Sequence, residues 1–397
     1  MDGDPDATRL PSTFWWLWGG ALVSALATFV FPFLALYLTA RGFDARQAGL
    51  LVSLLGAGAL AAGPLSGTLA DRLGRKPAIL LALAGSALCA TYLGIVRAPA
   101  LIAPGIFCFG LMASAVRPAV YATVADVVAP AGRARAFGLL YWGSNLGIGL
   151  SAWVGGRLAS KSWTLLFSLD AATTLLFAGV LLRRIPETRP APPAHGPRPG
   201  WGSVLSDRAL LLFLGAMLAF LVVFWQHQFA LPLAMARDGL GAAAFGDVIA
   251  LNCGFALAAQ PLASRLVRRF DEPLLLAWAG LLVGAGFGAY ALCHTAGQYG
   301  LATLLWTVGE VIGLPAATTL VSRLAPEALR GRYQGAYSFC VSAAMTIAPI
   351  VGGALLDRAG RRALWSSCVA LGAVAAALHL LLRRGYLRAR GNAALPA

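Results

Sequence analysis

The sequence predicts an all-α integral membrane protein of twelve transmembrane helices in two six-helix repeats, with both termini on the cytoplasmic side. Three observations carry this prediction. The 397 residues are 59% hydrophobic and only 12% charged, more apolar surface than a soluble core hides, so lipid must cover much of it. Apolar stretches of about 20 residues, the length that crosses a bilayer, recur along the chain. The chain also echoes itself at a spacing of 197 residues. Gly42 returns as Gly239, Gly49 as Gly246, Pro64-Leu65 as Pro261-Leu262 and Pro118-Ala119 as Pro315-Ala316. Arg133, Arg135 and Gly138 return as Arg330, Arg332 and Gly335, and Gly155-Gly156 as Gly352-Gly353.

The first span, 14–40, follows a leader with Asp2, Asp4, Asp6 and Arg9. Its Ala25-Leu26-Ala27 triplet has the look of a signal-peptide cleavage site, but the acidic leader and the apolar run beyond it mark a membrane helix. The next five spans are 45–70, 77–97, 100–126, 137–158 and 163–183. The second set reads 208–236, 242–265, 271–294, 298–322, 333–356 and 361–383. Backbone amides in lipid need partners within their own segment, so these spans are helices. Between the sets, Arg184–Asp207 carries Pro186, Pro190, Pro192, Pro193, Pro197 and Pro199, an extended, semi-rigid linker. The expected domains are therefore 1–183, a linker at 184–207, and 208–397 with a basic tail.

Orientation follows from the basic residues. With both termini cytoplasmic, 21 of the 31 Lys and Arg fall on that side, nine on the other, and Arg117 alone lies inside a span. The positive-inside rule selects this topology. It also accounts for the net charge of +15 without a nucleic-acid partner. The six cysteines, at 89, 108, 253, 293, 340 and 368, all lie in spans. They show neither disulfide nor metal spacing and read as small apolar filler.

The loop after the second span reads Gly67-Thr-Leu-Ala-Asp71-Arg72-Leu-Gly74-Arg75-Lys76. It resembles the signature loop of the major facilitator superfamily, with Gly, Asp, Arg, Gly, Arg and Lys in order and spacing. The resemblance implies the major facilitator fold. It also implies that the loop, with Asp126 at the end of the fourth span as partner for an arginine, holds the two halves together in the outward-facing state. The glycines fit a tight turn. In the second copy, Arg268 stands at the place of Asp71 and Asp271 at that of Gly74. It reads as eroded, and a gating role is expected of the first copy only. In the fifth span, Gly147-Ile-Gly149-Leu-Ser151-Ala152-Trp-Val-Gly155-Gly156 is similar to a degraded form of the Gly-Pro-x-x-Gly-Gly motif of proton-coupled exporters. Its echo Ala348-Pro349-Ile-Val-Gly352-Gly353 keeps the proline. Small residues at this spacing also let helices approach closely. Gly309-Glu310 through Gly335, and Gln226 followed by Leu231-Pro232-Leu233, are similar to bacterial drug/proton antiporters of the superfamily.

Ionisable groups inside a membrane are costly, which makes each a functional candidate. They are Arg117 in the fourth span, Asp170 in the sixth, His227 in the seventh and Glu310 in the tenth. In the family, the first, fourth, seventh and tenth helices line the central cavity. The repeat maps Arg117 onto Leu314, four residues from Glu310, a depth difference of about 6 Å. The two charges are expected to meet across the cavity or through water. Glu310 would take up and release a coupling proton, with Arg117 holding the ionised form until substrate or a conformational change separates them. His227, flanked by Gln226 and Gln228, is a candidate for substrate contact or proton relay. Asp170 and His379 read as packing residues.

There is no Gly-x4-Gly-Lys-Ser/Thr loop, no His-Glu-x-x-His and no Gly-x-Ser-x-Gly, which argues against an ATP-driven pump and a membrane enzyme. The expectation is a monomeric secondary transporter in a bacterial plasma membrane, without cofactor or metal. It would export small, moderately hydrophobic compounds in exchange for protons. The rival is a symporter or uniporter that imports a metabolite.

Overall fold

In the computed structural model, residues 10–26, 28–188 and 201–393 are described, and they are almost entirely helical. The helices are α1 (Ser12–Ala25), α2 (Val30–Ala40), α3 (Ala45–Leu73), α4 (Arg75–Ile95), α5 (Pro99–Val127), α6 (Arg133–Ala159) and α7 (Trp163–Arg184). After the short α8 (Trp201–Leu205) come α9 (Arg208–Phe224), α10 (Ala230–Arg237), α11 (Ala242–Arg269), α12 (Glu272–Ala289), α13 (Ala296–Leu324), α14 (Arg330–Arg358) and α15 (Gly360–Ala393). The prolines at 190, 192, 193, 197 and 199 lie outside the described residues.

Eleven stretches of the described chain are long and apolar enough to cross a membrane. The expected fifth span exists as α6, 27 residues long, about 40 Å at the helical rise. It falls short on apolarity because Arg133, Arg135, Ser144, Asn145 and Ser151 dilute it. The first and seventh spans, expected as single helices, are each broken. α1 stops at Ala25 and α2 begins at Val30, while α9 ends at Phe224 in a 3-10 turn, Trp225–His227, before α10. Offset by 197 residues, the two interruptions fall at nearly the same depth. The last helix runs about ten residues past its expected end.

Packing obeys the repeat. α3 lies against α5 as α11 lies against α13, and α4 against α7 as α12 against α15. The two halves of the chain meet through α3 with α14 and α6 with α11, a crossing and its repeat-related copy. These crossings are close because glycines face them. A Cβ on Gly156 would strike the Ala242 backbone of α11, and one on Gly353 the Ala45 backbone of α3. Gly246 meets Ala152, and Gly49 meets Pro349, in the same paired way. All these contacts sit toward the end of the bundle that holds the 41–44 and 238–241 loops, here the far end. Toward the opposite, terminal end, Gly63, Gly138 and Gly331 face nothing. There a cleft opens beside Thr318, Ser322, Arg330 and Gln334.

Candidate functional site

The far end is sealed by aromatic rings and one ion pair. Phe31 of α2 stands edge-on to Trp225 with ring centroids 5.7 Å apart, and Phe33 to Phe245 of α11 at 5.6 Å. Arg157 of α6, stacked on Trp153, reaches Asp247 of α11 at 2.9 Å. The terminal end has no such seal among the described residues.

Glu310 lies at mid-helix on α13, where an apolar sequence has carried a carboxylate into the bundle. Its Oε2 accepts from Asn252 Nδ2 of α11 at 2.9 Å. The same nitrogen donates to the Thr307 hydroxyl at 2.8 Å, and Thr307 donates to the Thr303 carbonyl at 2.7 Å. Asn252 and Thr307 are buried. Sequence reasoning missed both; the available signal was an amide within an apolar span and a hydroxyl one helical turn before the glutamate.

Arg117 is not paired with Glu310. Its guanidinium lies 5.3 Å from the ring centroid of Tyr121, one turn on, and Tyr121 stacks on Phe137 of α6. Glu310 and Arg117 are thus held by different partners, Asn252 and Tyr121.

At the seventh-span break, Gln226 Nε2 donates to the Ala348 carbonyl at 2.8 Å, and its amide packs against Gly352. His227 Nδ1 lies 2.6 Å from the Phe224 carbonyl, which only accepts, so this nitrogen carries the proton. Nε2 then accepts from Gln228 Nε2 at 2.9 Å. Both residues are buried, so their polar atoms fasten the broken helix. At the first-span break, Asp170 Oδ2 accepts from Phe29 N at 2.8 Å and Val30 N at 3.0 Å. The aspartate of the sixth span caps α2. His379 is fully buried against Phe213.

The signature loop is ordered by charge. Gly74 has φ +104, open to glycine alone without strain. Arg75 Nε meets Asp126 Oδ2 at 3.4 Å, and Lys76 Nζ donates to the Leu182 carbonyl at 2.8 Å. Glu187, just past α7, accepts from Arg75 N at 2.7 Å and Lys76 N at 3.2 Å; no motif or spacing marks it. Arg72 is exposed. Gly67 and Asp71 fall on α3, and their side-chain placement lies outside the described residues. The second copy has not simply eroded: Glu272 and Arg323 form an ion pair at 2.6 Å. Gly147 packs on Ala25, and Gly155 on Phe29 and Phe33. No group of His, Cys, Asp and Glu suited to a metal occurs among the described residues.

The chain is 27% identical to the uncharacterized MFS-type transporter YttB of Bacillus subtilis, over 89% of this chain and 91% of that one. It is 26% identical to a Na(+), Li(+), K(+)/H(+) antiporter of Planococcus maritimus, over 81% and 84%. It is 27% identical to the multidrug resistance protein MdtH of an Enterobacter species, over 77% of each. The fold matches the POT family transporter PepTSo with a TM-score of 0.80 at 14% identity, over 96% and 99%. It also matches the human organic anion transporter MFSD10 with a TM-score of 0.68 at 19% identity, over 93% and 100%. Residues 17–349 match the sequence profile of the Major Facilitator Superfamily, and the chain belongs to that family as a multi-pass membrane transport protein, not an enzyme.

Proposed function

We propose that the protein is a proton-coupled exporter of small, moderately hydrophobic compounds, working by alternating access as a monomer in a bacterial plasma membrane. In this reading α6 is the twelfth span, both termini are cytoplasmic, and residues 1–183 and 208–397 rock as two bodies about the α3–α14 and α6–α11 crossings. The cleft at the terminal end then faces the cytoplasm, where an exporter loads its cargo.

The observation that carries the reading is the setting of Glu310. Asn252 satisfies its hydrogen bonding without neutralising charge, so whether a proton is aboard sets the charge of the site. Arg117, parked on Tyr121, is free to approach in another state of the cycle. The resemblance to a multidrug resistance protein and to a cation/proton antiporter supports export by exchange.

Reconstitution into liposomes with an imposed pH gradient tests this. An antiporter accumulates a lipophilic test compound against the proton flow, whereas a symporter accumulates it with the flow. Glu310→Gln is expected to abolish gradient-driven accumulation, and full coupling in that variant overturns the role of Glu310.

A further inference from the structure

The seventh-span break brings an unpaired donor and an unpaired acceptor to one narrow pocket. The break is a 3-10 turn, Trp225–His227, closed by Gln228, whose backbone N donates to the Trp225 carbonyl at 3.1 Å. Residues three apart eclipse in such a turn, so the side chains of Trp225 and Gln228 leave it on the same side. Both line the pocket. Nε1 of Trp225 and Oε1 of Gln228 are buried, and neither has a hydrogen-bond partner among the described residues.

The Gln228 amide is oriented from behind. The Phe224 carbonyl takes the Nδ1 proton of His227, which leaves Nε2 to accept from Gln228 Nε2 at 2.9 Å. With that nitrogen committed, the oxygen is the amide atom left for a ligand. The other walls are apolar and come from both halves: Phe31, Val52 and Leu55 from the first, Phe229, Met345 and Pro349 from the second. No ionisable side chain lines the pocket, so a charged head would be buried there without a counter-charge. In this conformation the pocket has room for little more than one water-sized group, the size of a head group rather than of a whole ligand. A water would find two side-chain partners there, fewer than a buried water commonly has. A group that reproduces both hydrogen bonds and carries an apolar body displaces such a water with a gain in affinity.

We propose that this pocket is the head-group subsite for cargo, and that it selects an uncharged carboxamide on a flat apolar body. A primary carboxamide presents its carbonyl oxygen and one N–H on a single edge. The carbonyl accepts from Trp225 Nε1, and the N–H donates to Gln228 Oε1. His227 is a positioning residue that holds Gln228 in the receiving orientation. The assignment rests on the reading above that the protein carries small, moderately hydrophobic compounds, and it depends neither on the direction of transport nor on protons.

Equilibrium binding to the purified full chain in detergent, with no gradient imposed, tests it. Four probes share a naphthalene ring and differ in the head alone: a primary carboxamide, its N,N-dimethyl derivative, a carboxylate and a methylammonium. The primary amide is expected to bind about tenfold tighter than each of the others. Trp225→Phe keeps a ring against Phe31 and removes the donor, and is expected to weaken both amides by about fivefold. Gln228→Leu removes the acceptor, and is expected to weaken the primary amide by about fivefold while leaving the dimethyl amide unchanged. Equal affinities for the four heads in the parent protein, or no binding of the primary amide, overturn the proposal. A loss in the variants that is the same for all four probes also overturns it, since packing alone then explains the effect. The parent series needs no substitution, so it decides the matter even where Gln228→Leu does not fold. Gradient-driven accumulation in liposomes is read separately, and its failure counts against proton-coupled export rather than against the subsite.

Discussion

Asn252 of α11 donates to Glu310 of α13 across 2.9 Å, so the carboxylate inside the membrane is held by an amide from a neighbouring helix. A hydrogen bond to a charged group contributes about 1.5–3 kcal/mol. Asn252→Ala is therefore expected to slow gradient-driven transport by about an order of magnitude. In a Glu310→Gln background, read by downhill substrate counterflow because gradient-driven transport is already lost, the same change should add little, because the two residues act as a unit. Transport assays of the two single variants and the double variant give the coupling; independent, multiplicative losses would count against the pairing.

Asp170 caps the broken first span, accepting two backbone N–H groups at the start of α2. It is 5% exposed, so no water replaces it. Asp170→Ala is expected to cost about 2–3 kcal/mol, the sum of a lost cap and a stranded amide. Asp170→Asn keeps an acceptor oxygen and should cost about half as much. Melting midpoints in detergent rank the three proteins, and an alanine variant as stable as the parent would show that the break does not need its cap.

Hydropathy and the 197-residue echo made the helical framework legible, and each for a physical reason. Lipid demands uninterrupted apolar surface, and the two crossings between halves demand small residues, so Gly156 and Gly353 had to recur. The break at Ala25–Val30 was not legible, since its residues are nearly as apolar as the helices around it. The break at Phe224–Ala230 was marked by Gln226, His227 and Gln228, whose side-chain nitrogens serve the backbone and each other while the Gln226 and Gln228 oxygens are buried without a partner. The Glu272–Arg323 pair was missed because matching looked for identical residues, whereas an ion pair survives exchange of its signs. Arg117 and Glu310 were found as charges, but their separation in this conformation depends on tertiary placement that no spacing encodes.

Arg157 and Asp247 join the halves at the far end across 2.9 Å with both side chains about half exposed. Exposure limits such a pair to about 0–1 kcal/mol. The repeat places Ala354 and Leu50 at the equivalent positions, so the other crossing has no charged counterpart to share the load. Arg157→Ala is expected to shift the population toward the far-end-open state by up to about fivefold. High salt should shift the parent protein the same way and leave the variant unmoved. Distances between labels on α6 and α11 read the shift, and a salt response that survives the substitution would assign it elsewhere.

Asp238, just past α10, gathers Arg361 at 2.9 Å, the Tyr299 hydroxyl at 2.8 Å and His294 at 3.5 Å. Burial pushes its carboxyl up, but the hydroxyl of Tyr299, the guanidinium of Arg361 and the hydrogen bond with His294 together hold it below the usual carboxylate value. A carboxyl whose folded value is depressed adds stability that is fully present above the unfolded value, about 3.9. That stability is lost as pH falls through the folded value. Arg361 also donates to the Tyr290 and Cys293 carbonyls, so the cluster ties α12, α13 and α15 to the loop after α10. Asp238→Asn is expected to melt lower than the parent at pH 7, and the two midpoints should converge as pH drops below about 4. A gap that persists unchanged into acid would mean that Asp238 contributes through packing and neutral hydrogen bonds rather than through its charge.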